Sequence, residues 1–544
     1  MRTHTLFAGA MVAAGLLTAG AAHARGNMIF LHPDGTGPNH WTAARNYWAG
    51  PDGTLNWDRL PQMAAYRGHM TEVLTGTSNG GATVHAFGYK VEGLGSFGKD
   101  GDGTANPPTD RFINALSGYP GSILREAANT GHPVGLVNDG NIGEPGTGAF
   151  AAEVGHRGNW NAIALQIIAG RDGATPVGAS ADRAPVVILG GGERNFLPTG
   201  TPRCAPGAAG TATQQGIATY PLDCMVHTLD WSKPGPGRVA TPDRDDGRNL
   251  LAEAAAAGYL VIRTRAEFDA AIARLEADRN WRPRILGLFA AHHTFNDRNE
   301  EDLIATGFRE ASIDVNAKTS NLVLFGNPDR ANPGFNPPRG DEMMQMAVMA
   351  LTRAGRAAGR PYLLVAEPES TDNFGNSNNA IGTLVSLKVA DDMIGVALQT
   401  QERGSLLWSP LPTTVLTAAD SDASGMQLRA LRAATANVTT VGVNPAAGQL
   451  AVSNLLDGLY GRGTQSFAAE PDQFGRVHHF GIAWAGTPDF AGGILARASS
   501  GRGNRGLTLA DFSERFDNTD VYRFSYARLF GRLLPAPATL APTR

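Results

Sequence analysis

Only two cysteines, Cys204 and Cys224, occur in the 544 residues, so the chain has room for a single intramolecular disulfide. No stretch concentrates lysine and arginine, and the formal net charge is −4; nothing in the charge pattern points to nucleic acid. Beyond the first two dozen residues no apolar run approaches the roughly 18 residues of a membrane span, so no membrane partner is expected. What the chain has in quantity is glycine (68) and proline (33), against an apolar fraction of 42% that is ordinary for a globular protein. That balance predicts many loops on a folded body rather than disorder. The length exceeds one simple core and suits a large sheet with insertions.

The first residues read as an address. Met1-Arg2-Thr3-His4 is basic, Leu6 to Ala21 is apolar and small, and Ala22-His23-Ala24 has the form of a cleavage site. This is a secretory signal over residues 1–24, too short and too rich in Gly and Ala for an anchor. It predicts a periplasmic or secreted protein. In an oxidising compartment Cys204 and Cys224 most simply pair, closing a Pro/Gly/Thr-rich loop; the rival readings are two free thiols or half of a metal site.

Asn27-Met28-Ile29-Phe30-Leu31 is a short buried-strand run ending at His32-Pro33-Asp34-Gly35. An acid just past a strand end suits a metal or phosphate site, because ligands bind there in open α/β sheets. The stretch Leu74 to Ala86 centres on Ser78. Gly80, Gly81 and Ala82 leave its hydroxyl uncovered, and a helix starting there favours an anion at its N-terminus. Lys99 to Gly103 reads as a solvated turn. Helix is expected from Ser122 to Thr130 and from Ala149 to Val154, and strand at Pro133–Val137. Arg157, just beyond, has the planar fork to grip two phosphate oxygens. Strand, helix, strand, helix and strand follow at 185–189, 249–257, 259–263, 266–278 and 284–289, interrupted by an aperiodic insertion at about 198–240. Of the adjacent His292 and His293, at most one faces a site. The run Tyr362–Ala366 leads to Glu367 and Asp372, and Thr414–Thr417 leads to Asp420. The alternation predicts an α/β fold, a doubly wound and mostly parallel sheet sandwiched by helices. Its strand-end acids Asp34, Glu367, Asp372 and Asp420 would repel one another unless cations sat among them.

With these pieces placed, the chain resembles the alkaline phosphatase family from about Met28 to Gly531. Asp34-Gly35-Thr36-Gly37 with Ala43-Ala44-Arg45 is similar to the family's first motif. Thr77-Ser78-Asn79-Gly80-Gly81-Ala82-Thr83 with Gly88-Tyr89-Lys90 is similar to its nucleophile motif. The resemblance implies Ser78 as nucleophile, Arg157 as the phosphate-gripping residue, and metal ligands at Asp34, Glu144, Glu367, Asp372, Asn376, Asp420, Ser421 and Asp489. Asn376, Ser421 and, for the last, Asp489 or Phe490 stand where the family has histidines, and Gly146 stands where it has a hydroxyl. The family carries two zinc ions and one magnesium, whereas the oxygen ligands left here favour magnesium or calcium. The implied domains are a catalytic body at 25–535 and a Pro-rich tail at 536–544. The implied activity is metal-dependent hydrolysis of small phosphomonoesters through a phosphoserine. A phosphodiesterase, or a non-catalytic metal- or phosphate-binding descendant, is the alternative, and a homodimer is the oligomer to test for.

Overall fold

The computed structural model describes residues 25–95, 97–101, 110–173, 175–230, 238–305, 316, 318, 336–431, 466–501, 507–512 and 515–544; the expected signal at 1–24 lies outside them. Its frame is a ten-stranded sheet, whose strands in chain order are β1 (Asn27–Leu31), β2 (Gln62–Arg67), β3 (Val134–Asn141), β4 (Val187–Gly191), β5 (Tyr259–Ile262), β6 (Arg284–Leu288), β7 (Leu363–Glu367), β8 (Thr413–Thr417), β9 (Ile494–Ser500) and β10 (Phe516–Asp517). In space they run β10-β2-β9-β8-β1-β7-β3-β4-β6-β5. Every pairing is parallel except the two that β9 makes, with β8 and with β2.

The central strands read as continuous apolar runs because both of their faces are covered. In β1, Met28 and Phe30 enter one core while Ile29 and Leu31 enter the other. In β7, Leu363 and Val365 alternate in the same way with Leu364 and Ala366. The helices that matter for the site are α1 (Pro38–Ala49), α2 (Ser78–Phe87), α3 (Pro145–Gly148), α4 (Gly340–Ala358), α5 (Ser370–Asn376), α6 (Ala380–Gln399) and α7 (Asn518–Phe530). Residues of α2 and α7 fill the first core, and residues of α1, α4 and α6 fill the second. The sheet is therefore doubly wound, as the alternation predicts. Among the described residues no helix is long and apolar enough to cross a membrane.

Two local expectations change. The helix expected from Ala149 to Val154 does not form: the single turn α3 ends at Gly148, and irregular chain follows. Tertiary donors take the carbonyls a helix would use: Ser122 Oγ donates to Phe150 O and Arg125 Nε donates to Ala151 O at 3.1 Å. Asp100 is buried rather than solvated, paired with Arg111 and accepting the Glu92 N–H at 3.0 Å; residues 102–109 of that loop lie outside the described residues. The end of the Pro-rich tail is tied down, with Arg544 donating to Glu153 Oε2 at 2.6 Å.

Cys204 and Cys224 are disulfide-bonded, and the loop they close is docked by one buried cation. Arg263, at the end of β5, donates to Cys224 O at 2.7 Å and pairs with Glu193 at 2.8 Å. Glu193 also accepts from the Val226 and His227 amides at 3.0 and 2.7 Å. Removing one partner of such a pair strands the other's charge, so Arg263→Met is expected to cost about 3–5 kcal/mol. Urea unfolding of the variant against wild type measures it.

Candidate functional site

Four neighbouring strands, β8, β1, β7 and β3, each carry an acid at or just past the C-terminal end: Asp420, Asp34, Glu367 and Glu144. All four are buried. Parallel strands end on the same edge, and their adjacency turns four acids distant in sequence into one cluster. The Asp34 turn is pinned through its carbonyl, which accepts from Thr371 Oγ1 at 2.6 Å and Thr36 Oγ1 at 3.1 Å. Neither Asp34 carboxylate oxygen finds a hydrogen-bond donor among the described residues. Glu367 is held at both oxygens, by the Gly146 amide at 2.9 Å and by Asn138 Nδ2 at 2.6 Å.

Helix α5 adds Asp372, with Asn376 one turn on. Asn376 Nδ2 donates to both Asp372 oxygens, at 2.9 and 3.1 Å, and to Asp489 Oδ1 at 2.9 Å. Its Oδ1 accepts the Ser424 amide at 3.1 Å. Asn376 thus ties two acids together and turns its amide nitrogen, not its oxygen, toward them. Ser421 lies buried beside Asp489. Asp489 reaches the cluster because the strand Asp489–Phe490 pairs with Asp422–Ala423, just after Asp420.

Ser78 is the first residue of α2 and is buried at 3% exposure. No side-chain hydrogen bond holds its hydroxyl among the described residues, whereas the Thr77 hydroxyl is spent on Gly93 O at 3.0 Å. Gly81, one turn on and on the same helix face, presses against Asp420: a Cβ there would lie 2.4 Å from the Asp420 Cβ. The glycine lets the helix start close on the acid cluster. Arg157 Nη2 donates to Glu144 Oε2 at 2.8 Å, and its charge also acts on Asp34 and Glu369.

Every residue expected at the site is therefore on this sheet edge or beside it. Sequence reasoning passed over two others, His32 and Glu369, and left open which of His292 and His293 faces the site. His32 Nε2 lies 3.2 Å from Asp420 Oδ1 and 3.7 Å from Asp34 Oδ1. Glu369 is buried with Oε2 unpartnered. His293, the one of the two adjacent histidines that faces the cluster, lies 3.2 Å from Glu144 Oε1. The available signal was spacing: His32 precedes Asp34 by two residues and Glu369 follows Glu367 by two. His32, just past β1, puts one imidazole beside acids for which the sequence reading gave only oxygen ligands.

The electrostatics follow from crowding. Burial first, then the neighbouring Asp420 and Asp372, push the Asp34 carboxyl well above the usual range. Burial and Asp489 do the same to Asp372, and burial, Glu144 and Glu367 to Glu369. Asp420 goes the other way: burial opposes its ionisation, but the hydrogen bond from His32 prevails and holds the acid low. Single atoms of His32, Asp34 and Asp420 lie within 4.8 Å of one another, as do those of Asp34, Glu367 and Glu369. Unpartnered buried carboxylate oxygens gathered at such separations fit divalent cations, and Asp34 belongs to both groups.

Without cations, acids whose native pKa is raised bind more protons folded than unfolded. Their contribution to stability is then greatest at acid pH and is lost as pH rises. Asp139, behind the site and pushed up to about 7 by burial, acts in the same direction. In chelator the melting temperature is accordingly expected to fall between about pH 5 and 8, and divalent metal is expected to flatten that fall. Scanning calorimetry across pH, with and without metal, tests both.

Comparison with known proteins agrees with this geometry. The alkaline phosphatase family model matches residues 25–421. The streptomycin-6-phosphate phosphatase of Streptomyces griseus is 26% identical over 396 residues, covering 71% of this chain and 72% of that protein. Among solved structures, Thermus thermophilus alkaline phosphatase superposes with a TM-score of 0.56 at 18% identity, over 98% of this chain and 96% of that one. The alkaline phosphatase of the Antarctic bacterium TAB5 superposes with a TM-score of 0.54 at 14% identity, over 94% and 99%. These two likenesses establish the fold, and the family match, which spans well over half of the sequence, establishes descent. The chain belongs to the alkaline phosphatase family and is a phosphoric ester hydrolase.

Proposed function

We propose that this protein hydrolyses small phosphomonoesters through a covalent phosphoserine at Ser78. The observation that carries the reading is the unbonded Ser78 hydroxyl at a helix N-terminus pressed onto Asp420. Ser78 Oγ attacks phosphorus as the bond to the leaving alcohol breaks, and the proton passes to that alcohol. Water then attacks phosphorus, the Oγ–P bond breaks, and phosphate and the free serine are restored. The first amides of α2 and the Arg157 guanidinium stabilise the negative phosphoryl oxygens. Asp34, Glu367, Asp372, Asp420 and Asp489 are the residues that would hold divalent cations. Such ions supply charge that favours a serine alkoxide and offsets the phosphoryl charge. Magnesium or calcium suits this carboxylate-rich set, while His32 adds a nitrogen that zinc also accepts.

The Streptomyces griseus relative acts, by its name, on streptomycin-6-phosphate, which supports a small phosphoester as the substrate here. The disulfide and the leader-like first 24 residues support export.

Ser78→Ala is expected to lower turnover of an aryl phosphate by at least about a thousandfold, in the range of losing a covalent nucleophile, while metal content is kept. Wild-type activity in the variant would dismiss Ser78 as nucleophile. The same assay on chelated wild type, with metals restored singly, is expected to recover best with magnesium or calcium. Binding of metal without turnover under any ion would identify a non-catalytic descendant instead.

A further inference from the structure

The cation site on the Asp34–Glu367 side has lost the oxygen donors that the family resemblance assigns to the β3 loop. Glu144 is engaged at both oxygens, by Arg157 at 2.8 Å and His293 at 3.2 Å. Position 146 brings no hydroxyl, and the packing explains why: a Cβ on Gly146 would lie 2.3 Å from Glu367 Oε1 and 2.8 Å from Oε2. Glu367 occupies the space that a side chain at 146 would fill.

Opposite that gap stands Glu369, and it is fixed there. Asp139 accepts from the Ser370 amide at 3.1 Å and from Ser370 Oγ at 2.7 Å, anchoring the next residue. Thr371 Oγ1, one further on, donates to Asp34 O at 2.6 Å. Glu369 is 1% exposed, and its Oε2 has no partner. One oxygen each from Asp34, Glu367 and Glu369 fall within 4.8 Å of one another. A third buried carboxylate so close to two others is costly unless positive charge stands between them. The nearest guanidinium, Arg157, is already committed to Glu144.

We propose that Glu369 is a ligand of a hard divalent cation, magnesium or calcium, replacing the oxygens withdrawn from Glu144 and absent at Gly146. The all-carboxylate donor set of Asp34, Glu367 and Glu369 selects an oxygen-seeking ion at this position. His32, on the other side of Asp34, leaves the second group with a mixed nitrogen and oxygen set. The inference rests on the metal-binding part of the proposed function and is independent of the nucleophile.

The test strips the full-length protein with chelator and titrates it with magnesium alone by calorimetry, then counts magnesium retained after gel filtration. Glu369→Gln, which keeps shape and removes charge, is expected to retain one magnesium fewer per chain and to bind it at least about tenfold more weakly, as losses at metal sites commonly do. In chelator the same variant is expected to melt above wild type, since the cost of burying or neutralising that carboxyl is gone, and the order should reverse with magnesium. Equal magnesium content and affinity in variant and wild type would overturn the proposal and assign Glu369 as a protonated partner of Glu367. If the Gln variant does not fold, Glu369→Asp serves: a shortened ligand is expected to bind magnesium more weakly, and unchanged affinity is equally fatal. Ser78→Ala run alongside separates the two readings, because it should bind magnesium as wild type does whether or not Ser78 proves to be the nucleophile.

Discussion

Repulsion among buried carboxylates is the constraint to which the rest of this structure answers. Asp34, Glu367, Glu369, Asp372 and Asp420 are buried at one sheet edge, with half-buried Asp489 beside them. Ionised together in a low dielectric they would disfavour the folded state, and burial accordingly raises most of their pKa values. The fold tolerates them because a ten-stranded sheet with two apolar cores supplies stability elsewhere, and because divalent cations can bind the acids when they are charged. The cost of the empty cluster and the affinity of the filled one share an origin.

Partners are arranged so that not all of these acids are alike. His32 holds Asp420 in its charged form, while Asn376 ties Asp372 to Asp489. Glu144 is withdrawn into a pair with Arg157 and His293. The outcome is two overlapping ligand groups that share Asp34, one carrying a nitrogen and one made of oxygens alone. Opposite them α2 begins at Ser78, brought close by the bare face of Gly81. In the proposed reading, that helix N-terminus, Arg157 and the candidate cation ligands together receive a phosphoryl group, with a hydroxyl at its edge.

Relative to the family pattern, candidate ligands are missing at some positions and available at others. Imidazoles are missing at Asn376, Ser421 and Asp489, yet His32 brings one from β1. A hydroxyl is missing at Gly146, yet Glu369 brings a carboxylate from the start of α5. His32 and Glu369 each sit two residues from one of these acids.

The sequence by itself determined the elements and their order. Apolar runs such as Met28–Leu31 and Leu363–Ala366 are hydrophobic at every position because both faces are buried, and that pattern is local. It likewise marked Ser78 by its small neighbours and the acids by their places at strand ends. Tertiary structure alone decided the rest. The strand order β8-β1-β7-β3 makes neighbours of Asp420 and Asp34, nearly four hundred residues apart, and no local pattern encodes that adjacency. The Ala149–Val154 segment has helical composition, yet Ser122 and Arg125 claim its carbonyls from elsewhere in the chain. Whether Glu144, Asn376 or Glu369 turns an oxygen to a cation depends on which donors surround it, and those donors come from several strands and helices. Residue types and spacings could name the candidates; only packing could say which of their atoms were left free.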